Sequence, residues 1–136
     1  MLTQSFINQL SYDIIGCTIE VHKQLGPGLL ESVYEICTVE ELKSIGLKVL
    51  RQVPVPIKYK NKDLGTNLVL DLLVEDLIIV ELKAVEILIP VYKAQLLSYL
   101  KLTGKPKGLL INFNTENITQ SLVPLVTEEF AKLPAE

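Results

Sequence analysis

The stretch LVLDLLVEDLIIVELK, residues 68–83, decides the fold. Its apolar runs, Leu68–Val74 and Leu77–Val80, are separated by Glu75-Asp76, a short polar break of the kind that joins paired strands over about 67–74 and 77–84. Into this apolar setting the chain places Asp71, Glu81 and Lys83. Glu81 and Lys83 stand two apart, so on a strand they project from one face. Charged groups in or beside a core are costly unless they are paired or hold a metal, and this trio therefore marks a candidate site. Strand parity sets a condition on it. A two-residue turn at Glu75-Asp76 pairs Val74 with Leu77, sets Asp71 opposite Val80 and sends Glu81 to the other face. A site shared by both acids needs a three-residue loop or a bulge.

Upstream, Phe6, Leu10, Ile14, Cys17, Val21 and Leu25 recur at the spacing of an amphipathic helix over 4–25. Gly26-Pro27-Gly28 breaks it, and a second helix over about 29–45 follows, with Leu30, Val33, Cys37, Leu42 and Ile45 inward and Gly46 as its stop. Glu31 and Tyr34, three apart, are neighbours on its surface. By themselves they read as an acid favouring the positive end of the helix dipole and a packing ring. Residues 48–60, KVLRQVPVPIKYK, are extended, and Pro54 and Pro56 suit an edge or bulged strand. Asn61–Gly65 reads as a turn. Downstream, Pro90 opens a third helix, 90–103, closed by Gly104. Ala94, Leu97 and Leu100 form its apolar face, beside a stripe of Tyr92, Gln95 and Tyr99. Residues 108–113, GLLINF, read as a short buried strand. In the tail, Ile118–Val126 permits a strand and Thr127–Leu133 a helix. The order α-α-β-β-β-α-β, plus this tail, describes an α/β sandwich with a mixed sheet flanked by helices.

At 136 residues the chain is long enough for one domain, 1–136, with a proper core. Its 49% hydrophobic content and mean hydropathy of +0.35 argue against disorder. Thirteen basic and 16 acidic residues give a net charge of −3, so no global field favours nucleic acid through phosphate contacts alone. Lys101, Lys105 and Lys107 read as a solvated loop first and as a small basic rim second. Cys17 and Cys37, without metal-ligand spacing, read as reduced and mostly buried thiols. His22, near a helix end, reads as a surface or capping residue. No apolar run reaches membrane-spanning length and the N-terminus lacks a signal-peptide pattern, so the expectation is a cytoplasmic protein without membrane contact.

A helix bearing Glu, a hairpin bearing Asp and then Glu-x-Lys, and a helix bearing Gln-x-x-x-Tyr occur here in one order. That order resembles the PD-(D/E)XK nuclease superfamily and its restriction-endonuclease-like core. The similarity is closer to the small GxxExxY branch. Gly28-Leu29-Leu30-Glu31-Ser32-Val33-Tyr34 supplies that signature, in the context Glu20-Val21-His22 and Leu25-Gly26-Pro27-Gly28. Asp71, Glu81-Leu82-Lys83, Gln95, Tyr99-Leu100 and Gly108–Phe113 follow in the family's order, over about residues 10–115.

The resemblance implies a divalent-metal-dependent nuclease hydrolysing phosphodiester bonds. Asp71 and Glu81 would be ligands of Mg²⁺, with Mn²⁺ as a substitute. The backbone carbonyl of Leu82 and the Glu31 carboxylate, directly or through water, would be further ligands. Lys83 would orient the attacking water or stabilise charge on the phosphate, Gln95 would orient lysine, water or phosphate, and Tyr34 and Tyr99 would be supporting walls. The implied partner is nucleic acid, DNA in preference to RNA, with a homodimer as the arrangement for cutting duplex. Two other readings stay open. One is a catalytically silent module of the same fold that binds nucleic acid or a protein partner; the other is a structural oligomer in which Asp71, Glu81 and Lys83 form an ion-pair network.

Overall fold

The computed structural model describes residues 1–136, the side chain of Thr66 excepted. Thr3 opens α1 (Gln4–Leu25) by accepting the Phe6 N–H on its side-chain oxygen at 3.0 Å. Gly26, at φ 69°, closes it and returns its N–H to the His22 carbonyl at 2.7 Å. The buried stripe runs Ile7, Leu10, Ile14, Cys17 and Val21. Ile7 takes the core position expected of Phe6, which is exposed, as is Leu25 at the helix end.

Helix α2 (Glu31–Ser44) buries Tyr34, Glu35, Thr38, Val39 and Leu42. Leu30, Val33 and Ile45, expected inward, are exposed, and Cys37 is half-buried. The helix is thus rotated by one residue, roughly 100°, from the face its aliphatic side chains suggest. The rotation follows from its largest side chain: the Tyr34 ring stacks on Phe113 with centroids 4.4 Å apart and planes at 12°.

Strands β1 (Val49–Tyr59) and β2 (Lys62–Val74) form a long hairpin. Lys60 and Asn61, at φ 53° and 62°, make its turn. This corrects the expectation of a turn over Asn61–Gly65: two left-handed residues match the twist of the flanking strands, and residues 62–65 continue β2. β1 is the sheet edge, and its register slips between Pro56 and Lys58, so both prolines sit where a strand tolerates them.

β3 (Ile78–Lys83) returns antiparallel to β2; Leu77, expected to start it, belongs to the loop. Helix α3 (Pro90–Thr103) crosses over to β4 (Lys107–Asn112), which lies parallel to β3. The ambiguous tail resolves into a 3₁₀ turn (Ile118–Ser121), an antiparallel edge strand β5 (Val123–Val126) and a short α4 (Glu128–Ala131). The mixed sheet has the order β1-β2-β3-β4-β5. On one face α1 and α2 meet Leu72, Val74, Ile78, Val80, Leu82, Leu109 and Ile111. On the other, Leu96, Tyr99 and Leu100 of α3 meet Leu70, Leu73, Ile79 and Leu110, while Ala94, expected in that face, is exposed. None of the described helices is long and apolar enough to cross a membrane.

Helix α3 lies so close to β4 that Gly108 leaves no room for a side chain. A Cβ there would stand 2.9 Å from Leu96 Cδ1 and 3.0 Å from Leu100 Cδ1, both in fully buried side chains. Gly108→Ala is expected to lower stability by about 1–3 kcal/mol, the cost of overpacking a filled core. Urea unfolding monitored by far-UV circular dichroism measures it; an unchanged midpoint would show that α3 moves away freely.

Candidate active site

The loop between β2 and β3 decides whether the two acids meet. It has three residues, Glu75, Asp76 and Leu77, with Glu75 and Asp76 left-handed at φ 52° and 57°. Backbone and side-chain ties hold that shape. The Leu77 N–H donates to the Val74 carbonyl at 3.0 Å, Glu75 Oε2 accepts the Lys48 N–H at 2.7 Å, and Lys105 Nζ reaches Asp76 Oδ1 at 3.0 Å. The register is Val74 with Ile78, Leu73 with Ile79 and Leu72 with Val80, which carries Asp71 across from Glu81. The parity condition is met.

Regular pairing of β2 with β3 ends at Leu72 and Val80, and the carboxylates take over the backbone donors beyond it. The Asp71 N–H donates to Glu81 Oε1 at 3.2 Å, and the Leu82 N–H donates to Asp71 Oδ2 at 2.9 Å. Glu81 is only 5% exposed. Burial, and then the charge of Asp71, push its pKa up to about 9. Lys83, on the same strand face, is half-buried, and its ammonium lies 4.7 Å from the centroid of the Tyr92 ring. Among the described residues no salt bridge joins Lys83 to Asp71, Glu81 or Glu31. The ion-pair network considered from sequence is therefore not formed.

Glu31 lines a cavity of about 250 Å³ with Ser32, Glu35, Gln52, Asp71 and Leu82. Burial and the Asp71 charge raise its pKa, with Lys83 opposing. Tyr99, buried on α3, has its hydroxyl pKa raised by burial, then by the charges of Glu81 and Asp71. Tyr34 is fully buried behind the cleft. Its hydroxyl donates to the Gly26 carbonyl at 2.6 Å and accepts the Leu29 N–H at 3.1 Å, so it straps the loop that presents Glu31. Gln95 is exposed on α3, and its side chain makes no hydrogen bond among the described residues. Asp71, Glu81, Glu31 and Leu82 are brought together, with Lys83 alongside; Gln95 lies on the α3 stripe between Tyr92 and Tyr99.

Three residues at the site escaped sequence reasoning. Glu35, 6% exposed, accepts a hydrogen bond from Gln52 Nε2 at 2.6 Å and a salt bridge from Arg51 at 3.0 Å. Its place one helical turn after Glu31 was a usable signal. Gln52 and Arg51 carried none, because nothing in RQVPV announces that Gln52 is left-handed, at φ 50°. A non-glycine residue in that region costs about 1–3 kcal/mol, which the surrounding contacts must offset.

Other features lie elsewhere. A hollow of about 530 Å³ lies between the end of α3 and α4 and contains none of these residues. Lys105 and Lys107 lie at the Ile78 end of the β3–β4 pair, five residues from Lys83, or roughly 16 Å along a strand. Lys105 is paired with Asp76, Lys107 reaches Asn8 at 3.4 Å and Lys101 lines the hollow at the end of α3, so these lysines do not rim the site. His22 Nε2 makes a 2.6 Å contact with the Thr115 carbonyl, a tie between α1 and the loop after β4 rather than a cap.

A mixed sheet of this order, with two acids meeting where β2 leaves β3 and a lysine two residues on, defines a restriction-endonuclease-like core. Residues 8–123 match the family model of the PD-(D/E)XK nuclease superfamily, and the chain belongs to that superfamily. No curated protein and no solved structure matches it.

The raised pKa of Glu81 has a consequence for stability. Between its ordinary value of 4.5 and about 9, the folded chain keeps a proton that the unfolded chain has released. Stability without metal is therefore greatest from this group below pH 4.5 and falls as pH rises through this window. Glu81→Gln is expected to flatten the decline, measured as the urea midpoint from pH 5 to 9 in chelator-treated buffer; an equal slope in both proteins would place the titration elsewhere.

Proposed function

We propose that this domain is a divalent-metal-dependent phosphodiesterase acting on nucleic acid, a member of the GxxExxY branch working in the cytoplasm. One observation carries the reading: Asp71, on the wall of the cavity, meets the buried Glu81 across the strand pair, and the lysine beside them lies on an aromatic ring with no salt bridge to either acid. Each carboxylate spends one oxygen on a backbone N–H, and the two side chains share the proton that Glu81 retains, which a cation would replace. Such oxygens suit a hard cation of the Mg²⁺ type, with Mn²⁺ as its substitute. Among the described residues no three carboxylate, imidazole or thiol groups converge to hold an ion by themselves. A shell completed by water and phosphate oxygens is what Mg²⁺ prefers, and it fits that donor count.

In this reading Asp71 and Glu81 hold the cation, the Leu82 carbonyl can add an oxygen, and Glu31 acts from the cavity wall through water. The cation supplies Lewis acidity toward the scissile phosphate and a more acidic bound water. A cation held there would displace the Glu81 proton to solvent. Lys83, steadied over Tyr92, points a mobile cation at charge that develops on the phosphate oxygens. Tyr99 excludes water behind the acids. Gln95, exposed on α3, is free to meet the substrate backbone. DNA is the substrate to test first, with two copies serving the two strands of a duplex.

Calorimetric titration with Mn²⁺ is expected to show binding that Asp71→Ala abolishes. Its heat should vary with buffer ionisation enthalpy, because the site releases a proton on loading. Lys83→Ala should keep the binding and lower cleavage of DNA by about 10²–10³-fold, as for loss of one transition-state contact. Metal binding without cleavage of any DNA or RNA would identify a silent module that binds nucleic acid or a protein partner. A folded wild type that neither binds Mn²⁺ nor cleaves would overturn the metal reading.

A further inference from the structure

We propose that Gln52, gripped by Glu35, is a positioning residue that sets the carboxylate of Asp71; the role in metal binding rests on the function proposed above, the placement itself does not. The starting point is a break in strand alternation. Leu68, Leu70 and Leu73 pack toward α3, while Leu72 and Val74 pack toward α1 and α2. Residues on an undisturbed strand keep one face at every second position, so β2 changes faces at Asp71. β1 does the same: Val49 packs toward α1 and α2, but Val53 and Val55 pack toward α3. The change falls at Gln52, whose φ of 50° departs from the extended strand around it.

Both strands change faces on one rung without losing register. Arg51 pairs with Leu72 and Val53 with Leu70, so Gln52 lies across from Asp71. The inversion takes Asp71 out of simple alternation, with its Oδ2 reaching along the sheet to the Leu82 N–H of β3. A conformation of this kind persists only where its surroundings over-determine it. Here they do, because the buried Glu35 carboxylate takes Gln52 Nε2 at 2.6 Å and Arg51, the chain's only arginine, at 3.0 Å. Two consecutive residues of an edge strand are thus bound to one acid of α2. A contact that merely docks α2 on the sheet would leave the Asp71–Leu82 bond indifferent to it.

The experiment compares wild type, Gln52→Ala and Glu35→Gln by amide hydrogen exchange of the full chain and by Mn²⁺ titration. Gln52→Ala is expected to speed exchange of the Leu82 N–H by about tenfold relative to the Ile79 and Val80 amides, and to weaken Mn²⁺ binding by about tenfold, as second-layer contacts to metal ligands do. Glu35→Gln, which keeps an oxygen for Gln52 but loses the Arg51 bridge, should give smaller shifts of the same sign in both. Leu82 exchange unchanged in Gln52→Ala overturns the proposal. Should that variant not fold, Gln52→Gly, which accepts positive φ freely, is judged by the same Leu82 criterion. A wild type that ignores Mn²⁺, with Leu82 still freed in Gln52→Ala, overturns the metal reading and leaves the positioning role standing.

Discussion

The structure depends on holding two carboxylates against each other at the margin of an apolar core. Asp71 and Glu81 each accept the backbone N–H of the opposite strand, so they replace ladder bonds at the point where β2 and β3 stop pairing. Those bonds lower the cost of burial but do not remove it, and Glu81 answers by holding its proton far above the usual carboxylate range. A folding optimum would put an apolar pair or a salt bridge here. The chain instead turns Lys83 aside onto Tyr92.

The surrounding elements are arranged to keep this arrangement from relaxing. The three-residue loop fixes the strand parity, and Lys48 and Lys105 fix the loop. Tyr34 spans from Phe113 to the α1–α2 loop, so the aromatic residue of the GxxExxY signature acts from underneath, on the backbone that presents Glu31. Residues separated widely in the chain thus hold one cleft. Removing any of them acts through position rather than through direct contact with a ligand.

The charges near the cleft bear on recognition. The only arginine is engaged by Glu35, and Lys105 and Lys107 belong to the opposite end of the parallel strand pair. With a net charge of −3, a broad electrostatic footprint is absent from the sequence. In the proposed function, recognition of a polyanion by such a surface would rest on local contacts at the site, with the cation as the main positive charge there.

Much was legible in the linear chain. Apolar periodicity delimited α1, proline and glycine bracketed α3, and the prolines of β1 marked an edge strand, because each signal acts within a few residues. The ordered acids, lysine and signature likewise pointed to the superfamily that the family match shows. Rotation of α2 was not legible, since Tyr34 and Glu35 turn inward for partners on distant strands while Val33 and Ile36 stay exposed. Nor was the loop length between β2 and β3, since Leu77 fits a strand as well as a turn. Only tertiary contacts selected the register that joins Asp71 to Glu81, and the left-handed Gln52 across from it. Local propensity sets which elements form; a one-residue step in pairing, which the chain alone leaves nearly balanced, sets which side chains meet.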